Sequence, residues 1–439
     1  MAKIIITSSR RFCHRVGFLC LIFVTCLSTY IVSMRGWTKF TSTIFSMYSL
    51  FTAFQPVINS TIRELLYNIS SQVKVSGVDC AAIFQNSSSA ILAAKRMIQT
   101  ASTPLSDSLY LNITQDCDNF QKQRGYIMSS LSEEEEQFPL AYSMMVYKDS
   151  EMVERLLRAI YRPQNVYCIH VDQKAPNDFF TAISAIASCL PNVFMASRRI
   201  RVVWGKFTVL EPELVCMQDL WKYRQWKYFI NLTGQEFPLR TNHELVKILT
   251  AYRGAVDAIG VLNEIKKQKR LNNTEPPPHG LRIVMGSVHS LVTRDFVDYI
   301  LHNEIAKDLL NWVKTTKVPD ETYFATLNAN PQLGIKGTYK GEPEYIPART
   351  SFARFKNWGL EPCAGRRVRA VCILTTGDLP LLWKSPMHFA NKFYLHEDRV
   401  VIGCLEEKIF NDTRDEYTGS KIFDTSLYRK SAIVTNKVE

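Results

Sequence analysis

No C-x-x-C pair occurs in the chain, although it holds 11 cysteines, and that spacing marks many zinc sites. Ligation by paired cysteines is thereby disfavoured. Basic residues outnumber acidic ones, for a formal charge of +12, yet they are spread among aromatics and strand-like runs instead of gathering in one block. That distribution suits an anionic small molecule better than a nucleic acid. The one D-x-D triplet considered for a divalent ion, Asp116-Cys117-Asp118, precedes the first strand of the core and straddles a cysteine, so no metal role is assigned to it. Nor does a small-x-small cleavage site follow the apolar run Val16 to Met34. That run has membrane-spanning length and is expected to stay as a signal anchor.

The positive-inside rule orients this anchor. Lys3, Arg10, Arg11 and Arg15 precede it, against Arg35 and Lys39 after it, which leaves residues 1–15 in the cytosol and the bulk of the chain in the lumen. Cysteine usage agrees. Cys13, Cys20 and Cys26 lie in or beside the span, and the remaining eight are Cys80, Cys117, Cys168, Cys189, Cys216, Cys363, Cys372 and Cys404. An even count in an oxidising compartment suggests disulfides, although spacing alone does not pair them. N-x-S/T sequons at Asn59, Asn68, Asn86, Asn112, Asn231, Asn272 and Asn411 point the same way, with Asn231 in an apolar run that argues against a glycan.

With 439 residues and 46% apolar side chains, the chain can bury one large core after an N-terminal appendage. Residues 35–137 are Ser/Thr-rich with short apolar stretches and are expected to be a lumenal stem. The acidic run Glu133 to Glu136 reads as a solvated helix start capped by Ser132. Residues 138–439 are expected to form the α/β domain. Leu140 to Val146 is a strand-like apolar run, and Met152, Val153, Leu156, Leu157 and Ile160 then recur at helical spacing until Pro163. Val166 to Val171 is a second apolar run, closing on Asp172. Two strands joined by a helix lie parallel in one sheet and present ligands at their C-terminal ends. Asp172 is thus placed at a binding edge.

The alternation continues through Phe179 to Leu190, Val193 to Ala196, Leu210 to Trp221 and Lys227 to Leu232, predicting a doubly wound, mostly parallel sheet. Thr241-Asn242 caps a helix from Glu244 to Tyr252. Beyond it, Lys266, Lys267, Lys269 and Arg270 read as a surface loop, with acceptor contact as the alternative. A strand is expected over Leu281 to Val292. In Val318-Pro319-Asp320-Glu321-Thr322, proline and aspartate start a helix that presents Glu321 in its first turn, fit for a general base or for a helix-dipole role. Arg366, Arg367 and Arg369 precede an expected strand Ala370 to Leu374, and Lys392 follows Phe389-Ala390-Asn391. These cations can clamp a diphosphate or lie solvated at the surface.

The segments FPLAYSMMV (138–146), ERLLRAIYRPQNVYCIHVDQKAP (154–176), WKYFINLTGQEFPLRTN (226–242), PDETYFATL (319–327), VRAVCI (368–373), GDLPLL (377–382) and FANKF (389–393) together resemble the core-2/I-branching β-1,6-N-acetylglucosaminyltransferases. The resemblance spans about residues 110–410. It implies a GT-A-type fold on a single-pass type II Golgi membrane protein. The implied reaction is inverting, metal-independent transfer of GlcNAc from UDP-GlcNAc to a C6 hydroxyl of Gal or GalNAc in core-2 O-glycan or I-type branches. The alternative is a weak or inactive Golgi glycan-binding homologue. Position by position, the resemblance makes Glu321 the catalytic base, Arg369 and Lys392 the diphosphate ligands and Asp172 a nucleotide contact. It also implies the pairs Cys80–Cys404, Cys117–Cys189, Cys168–Cys216 and Cys363–Cys372.

Departures mark the pockets. Thr233 replaces the cysteine of N-L-C-G, and Trp204 stands where the family has the tyrosine of V-V-Y-A/G. His289 replaces the tyrosine of G-S-A-Y. Trp358 matches the family tryptophan, but the tyrosine that follows it in core-2 members is absent, and the segments 251–276 and 358–363 are shorter. The nucleotide and acceptor contacts are where this chain is expected to differ.

Overall fold

A computed structural model describes residues 59–98, 104–262, 269–271, 275–341 and 351–439. The expected cytosolic tail, the anchor 16–34, the stem up to residue 58, Lys266, Lys267 and the sequon at Asn272 lie outside the described residues. No helix among the described residues is long and apolar enough to cross a membrane.

Residues from Ser60 to Glu439 form one compact unit. It opens with six helices: α1 (Ser60–Gln72), α2 (Cys80–Phe84), α3 (Ser88–Ile98), α4 (Asp107–Ile113), α5 (Cys117–Arg124) and α6 (Glu133–Glu136). Ser132 caps α6 by accepting from the Glu135 N–H. There follow β1 (Leu140–Val146), α7 (Ser150–Ile160), β2 (Val166–Val171), α8 (Asn177–Ser188), β3 (Val193–Met195), α9 (Glu211–Leu220), β4 (Tyr228–Thr233), β5 (Glu236–Pro238) and α10 (Asn242–Tyr252). Thr241 and Glu244 close a reciprocal capping box on α10. The chain continues through β6 (Gly260–Val261), β7 (Met285–Gly286), β8 (Leu291–Thr293), α11 (Arg294–His302), α12 (Glu304–Val313) and α13 (Tyr323–Asn328). It ends with β9 (Arg354–Phe355), β10 (Arg367–Val368), β11 (Val371–Cys372), α14 (Leu379–Lys384), β12 (Phe389–Asn391), α15 (Arg399–Tyr417), α16 (Ser426–Arg429) and α17 (Ala432–Thr435).

The central sheet runs β3-β2-β1-β4-β8, with the first four strands parallel and β8 antiparallel at the edge. Side chains alternate across β1. Leu140, Tyr142 and Met144 enter the core under α7, α8 and α10, whereas Ala141 faces the layer of α9, α11 and α13. Burial on both faces is why β1 and β2 read as continuous apolar runs. Tyr142 stacks on Tyr167 in register across these strands, at 5.1 Å between ring centroids.

The helices before the sheet belong to the same packing. Leu66 and Ile69 of α1 bury against Phe410 of α15, and bridges fix others: Cys117–Cys189 joins α5 to the end of α8, and Cys80–Cys404 joins α2 to α15. Cys168–Cys216 ties β2 to α9, and Cys363–Cys372 closes a loop onto β11. These are the four pairings the resemblance implies.

Two expected strands differ. Within Leu281 to Val292 only β7 and β8 pair, because Asn231 takes the polar backbone between them: its amide donates to the Val288 carbonyl at 2.6 Å and accepts from the Ser290 N–H at 2.9 Å. The same contacts bury Asn231, 1% exposed, away from any glycan. The expected strand Ala370 to Leu374 is instead half of the β10–β11 hairpin, which turns on Arg369 and Ala370 with φ of 51° and 69°. Two successive left-handed residues define the tight turn that matches strand twist. Here they are not glycines.

Candidate functional site

The C-terminal ends of β1 and β2 set the position of the site. Beyond β2, the Asp172 carboxylate accepts from the Lys174 N–H at 2.9 Å and the Val202 N–H at 3.4 Å, and Lys174 Nζ lies 3.6 Å away. His170, two positions earlier in β2, accepts from the Ile200 N–H at 2.8 Å through Nε2. Burial pushes its pKa down to about 4, which keeps that nitrogen an acceptor at neutral pH. Asp172 and His170 therefore pin the loop 200–202 to the strand end. The carboxylate is committed to that loop.

The pinned loop delivers Trp204, whose side chain is 73% exposed. Gly205 follows at φ 75°, and its carbonyl accepts from the Val318 N–H at 3.0 Å. Val318 itself sits at φ 56°, a conformation unfavourable for a β-branched residue and one that concentrates at functional sites. Pro319 then starts a short 3₁₀ turn ending at Glu321. The catalytic-base candidate is thus held on a strained turn clipped to the Trp204 loop. Glu321 is partly exposed and pairs with Arg270 at 2.6 Å. Its neighbour Asp320 is buried, and burial together with the Glu321 charge pushes its pKa up to about 6.

Two cations approach from the C-terminal half. Arg369, at the hairpin tip, places its guanidinium 5.6 Å from the centre of the Trp204 ring. Lys392 follows a cis peptide bond after Asn391, accepts through its carbonyl from the Leu374 N–H at 2.9 Å, and holds Nζ 5.4 Å from the Tyr394 ring. Both cations act on one group. Burial and Tyr394 raise the pKa of the Tyr147 phenol at the end of β1, and Lys392 and Arg369 pull it back. Among the described residues, neither cation has a carboxylate within ion-pair distance.

Beneath them runs a buried polar network. Glu236 pairs with Arg354 at 2.7 Å, accepts from the Asn391 amide at 3.0 Å and lies 3.3 Å from His289 Nδ1. Arg354 reaches on to the Asn231 carbonyl. Since Asn391 precedes Lys392, this network fixes the lysine's backbone. Lys356, within the electrostatic reach of Glu321, bonds to Ser287 Oγ at 3.2 Å and holds Nζ 5.7 Å from the ring of the exposed Trp358.

Glu321, Trp204, Arg369 and Lys392 are thereby drawn to one edge, Asp172 stands one loop behind them, and Trp358 joins them through Lys356, whose ammonium feels the Glu321 charge. Sequence reasoning missed Tyr147, Glu236, Arg354 and Lys356. The strand-like alternation Phe352-Ala353-Arg354-Phe355-Lys356, with two cations on one side, was the available signal. Of the basic segment, Arg270 lies among the described residues and pairs with Glu321. The D-x-D triplet is a helix cap: Asp116 accepts from the Asn119 N–H at 3.0 Å, and Cys117 is bridged.

Comparison with known proteins bears on these residues. A family model described as "Core-2/I-Branching enzyme" matches residues 140–382. The chain is 36% identical over 376 residues to the human "Beta-1,3-galactosyl-O-glycosyl-glycoprotein beta-1,6-N-acetylglucosaminyltransferase 3", covering 79% of this chain and 85% of that protein. The sheep protein of the same name is 38% identical over 376 residues, with the same shares covered. A similarly named transferase of bovine herpesvirus 4 (strain V. test) is 37% identical over 375 residues, again with 79% and 85% covered.

Proposed function

The chain belongs to the core-2/I-branching enzyme family, and from that premise we propose that it is an inverting β-1,6-N-acetylglucosaminyltransferase of GT-A-type fold. Its donor is UDP-GlcNAc and its acceptor a Gal or GalNAc residue of a glycoprotein glycan, as the names of its relatives suggest. Glu321 takes the proton from the C6 hydroxyl while that oxygen attacks the anomeric carbon from the face opposite the diphosphate. The bond to UDP breaks as the new bond forms, which inverts the anomeric centre. Arg270 holds the carboxylate in place.

The observation that carries this reading is the approach of Arg369 and Lys392 to one edge, beside Trp204 and Tyr147, with no carboxylate to consume them among the described residues. A departing diphosphate needs such fixed cations or a metal held by oxygen ligands. Asp172 is taken by backbone donors and Lys174, and Asp116 by its helix, which leaves both poor ligands for a hard cation. We therefore read the reaction as metal-independent. The chain's place is proposed to be the Golgi membrane, in single-pass type II orientation with the catalytic domain lumenal.

The test is transfer from UDP-GlcNAc to core-1 and polylactosamine acceptors in excess EDTA, with linkage read by NMR. Persisting C6-linked product supports the reading. Loss restored by manganese would overturn the cation clamp, and UDP binding without any transfer would leave a glycan-binding protein.

A further inference from the structure

Among the described residues, Lys356 is a cation whose charge bears on Glu321 and which the proposed chemistry leaves unused. Its ammonium carries three N–H donors and bonds to Ser287 Oγ at 3.2 Å, and no carboxylate lies within ion-pair distance among the described residues. The two carboxylates whose charge it feels most are engaged elsewhere. Glu236 serves Arg354, Asn391 and His289, and Glu321 serves Arg270. Keeping a half-buried ammonium with a single hydrogen-bond partner is unfavourable, and such groups persist where a ligand completes them.

The surroundings say what that ligand is. Trp358 offers an exposed aromatic face 5.7 Å from Nζ, and a sugar presents an apolar ring face edged by hydroxyls, so an indole and a neighbouring ammonium recognise both parts at once. Arg369 and Lys392 are gathered elsewhere, beside Trp204 and Tyr147, and are not among the charges that act most strongly on Lys356. We propose that Lys356 is a specificity-determining residue that donates to a ring hydroxyl of the acceptor sugar stacked on Trp358, aligning its C6 oxygen with Glu321. This rests on the transferase reading above and adds the acceptor side to it.

Charge state supplies a signature. Burial lowers the ammonium pKa to about 8, with Glu236, Glu321 and Asp320 opposing and Arg354 assisting. Neutral His289 and the Arg270 guanidinium complete the charged and titratable surroundings. The donor with full charge is present below that value and is lost as pH rises through it.

The experiment is steady-state kinetics of the full-length protein with the core-1 disaccharide and with N-acetyllactosamine, comparing Lys356→Met and Lys356→Arg. Lys356→Met should raise the acceptor KM about 10- to 100-fold, the range of a charged hydrogen bond, with the UDP-GlcNAc KM within about twofold. In the parent, acceptor KM should climb above about pH 8, and Lys356→Arg should abolish that climb because arginine stays charged. An unchanged acceptor KM, or an equal loss on the donor, overturns the proposal. If the parent transfers to neither acceptor, the activity reading fails instead. Saturation-transfer NMR of the disaccharide on parent and Lys356→Met then still decides the contact: loss of the signal in the variant supports it, and an unchanged signal overturns it.

Discussion

Two cationic regions of this molecule look alike in composition and differ in bookkeeping. Arg124 of α5, Arg155 and Arg158 of α7 and Arg399 of α15 border a cavity of about 440 Å³ that also meets the end of α1. Each is matched. Glu154 takes Arg124 at 2.5 Å and Arg158 at 3.2 Å, Glu406 takes Arg155 at 2.8 Å and Arg158 at 2.5 Å, and Glu151 takes Arg399. At the sheet edge, Arg369, Lys392 and Lys356 have no such partners among the described residues. Arg369 is exposed and Lys392 and Lys356 are half-buried, so it is the gathering of cations without carboxylate partners, and not their burial, that indicates where a ligand belongs.

The comparison can be broken most decisively at Glu321. Glu321→Gln should lower kcat roughly 10²- to 10⁴-fold while UDP affinity, measured by calorimetry, stays put. Near-normal turnover would remove Glu321 from the chemistry. The matched region should respond in the opposite currency. Glu154→Ala leaves Arg124 and Arg158 facing each other and should cost about 3–5 kcal/mol in urea unfolding, with kcat of the folded fraction intact. Its pH dependence follows. The Arg124 and Arg158 charges overcome burial and hold the Glu154 pKa down at about 2, so this stabilisation is complete above the ordinary carboxylate range and is lost as pH falls from there toward 2.

Smaller effects sharpen the contrast. Arg369→Ala and Lys392→Ala should each weaken UDP binding about 10- to 100-fold, without lowering Tm measurably. Arg369→Gly separates two properties of one residue. It should weaken UDP binding as alanine does, yet raise stability by about 0.5 kcal/mol, the relief of a left-handed side-chain conformation less the added freedom of glycine in the unfolded chain. A stability loss there would mean the guanidinium holds the hairpin together.

Much of the scaffold was legible. The switch from continuous apolar runs to helical spacing located β1, α7 and β2, and Thr241 with Glu244 announced α10, because these elements obey local rules. The β10–β11 turn was not legible, since Val368-Arg369-Ala370-Val371 holds none of the glycine, asparagine or aspartate that such a turn favours. Nor was the break between β7 and β8, which depends on Asn231, distant in sequence. Helices α1 to α5 read as stem because their few apolar residues find partners distant in sequence, as Leu66 and Ile69 do on Phe410 of α15 and Phe84 on Trp383 of α14. At the site, Glu321, Arg369, Lys392 and Asp172 were named by motif, but which cations remain unmatched is a property of three-dimensional pairing. Lys356 is the clearest case.

The Cys80–Cys404 bridge also sets a schedule for synthesis. Its partners are separated by 324 residues, so at about 5–20 residues per second Cys80 is made roughly 15 to 65 seconds before Cys404 follows it. During that interval Cys117, Cys168, Cys189, Cys216, Cys363 and Cys372 all emerge as rival thiols. The early α2 helix must therefore wait, reduced or transiently mispaired, and an oxidoreductase that delays or corrects its oxidation governs how much of each newly made chain is closed correctly.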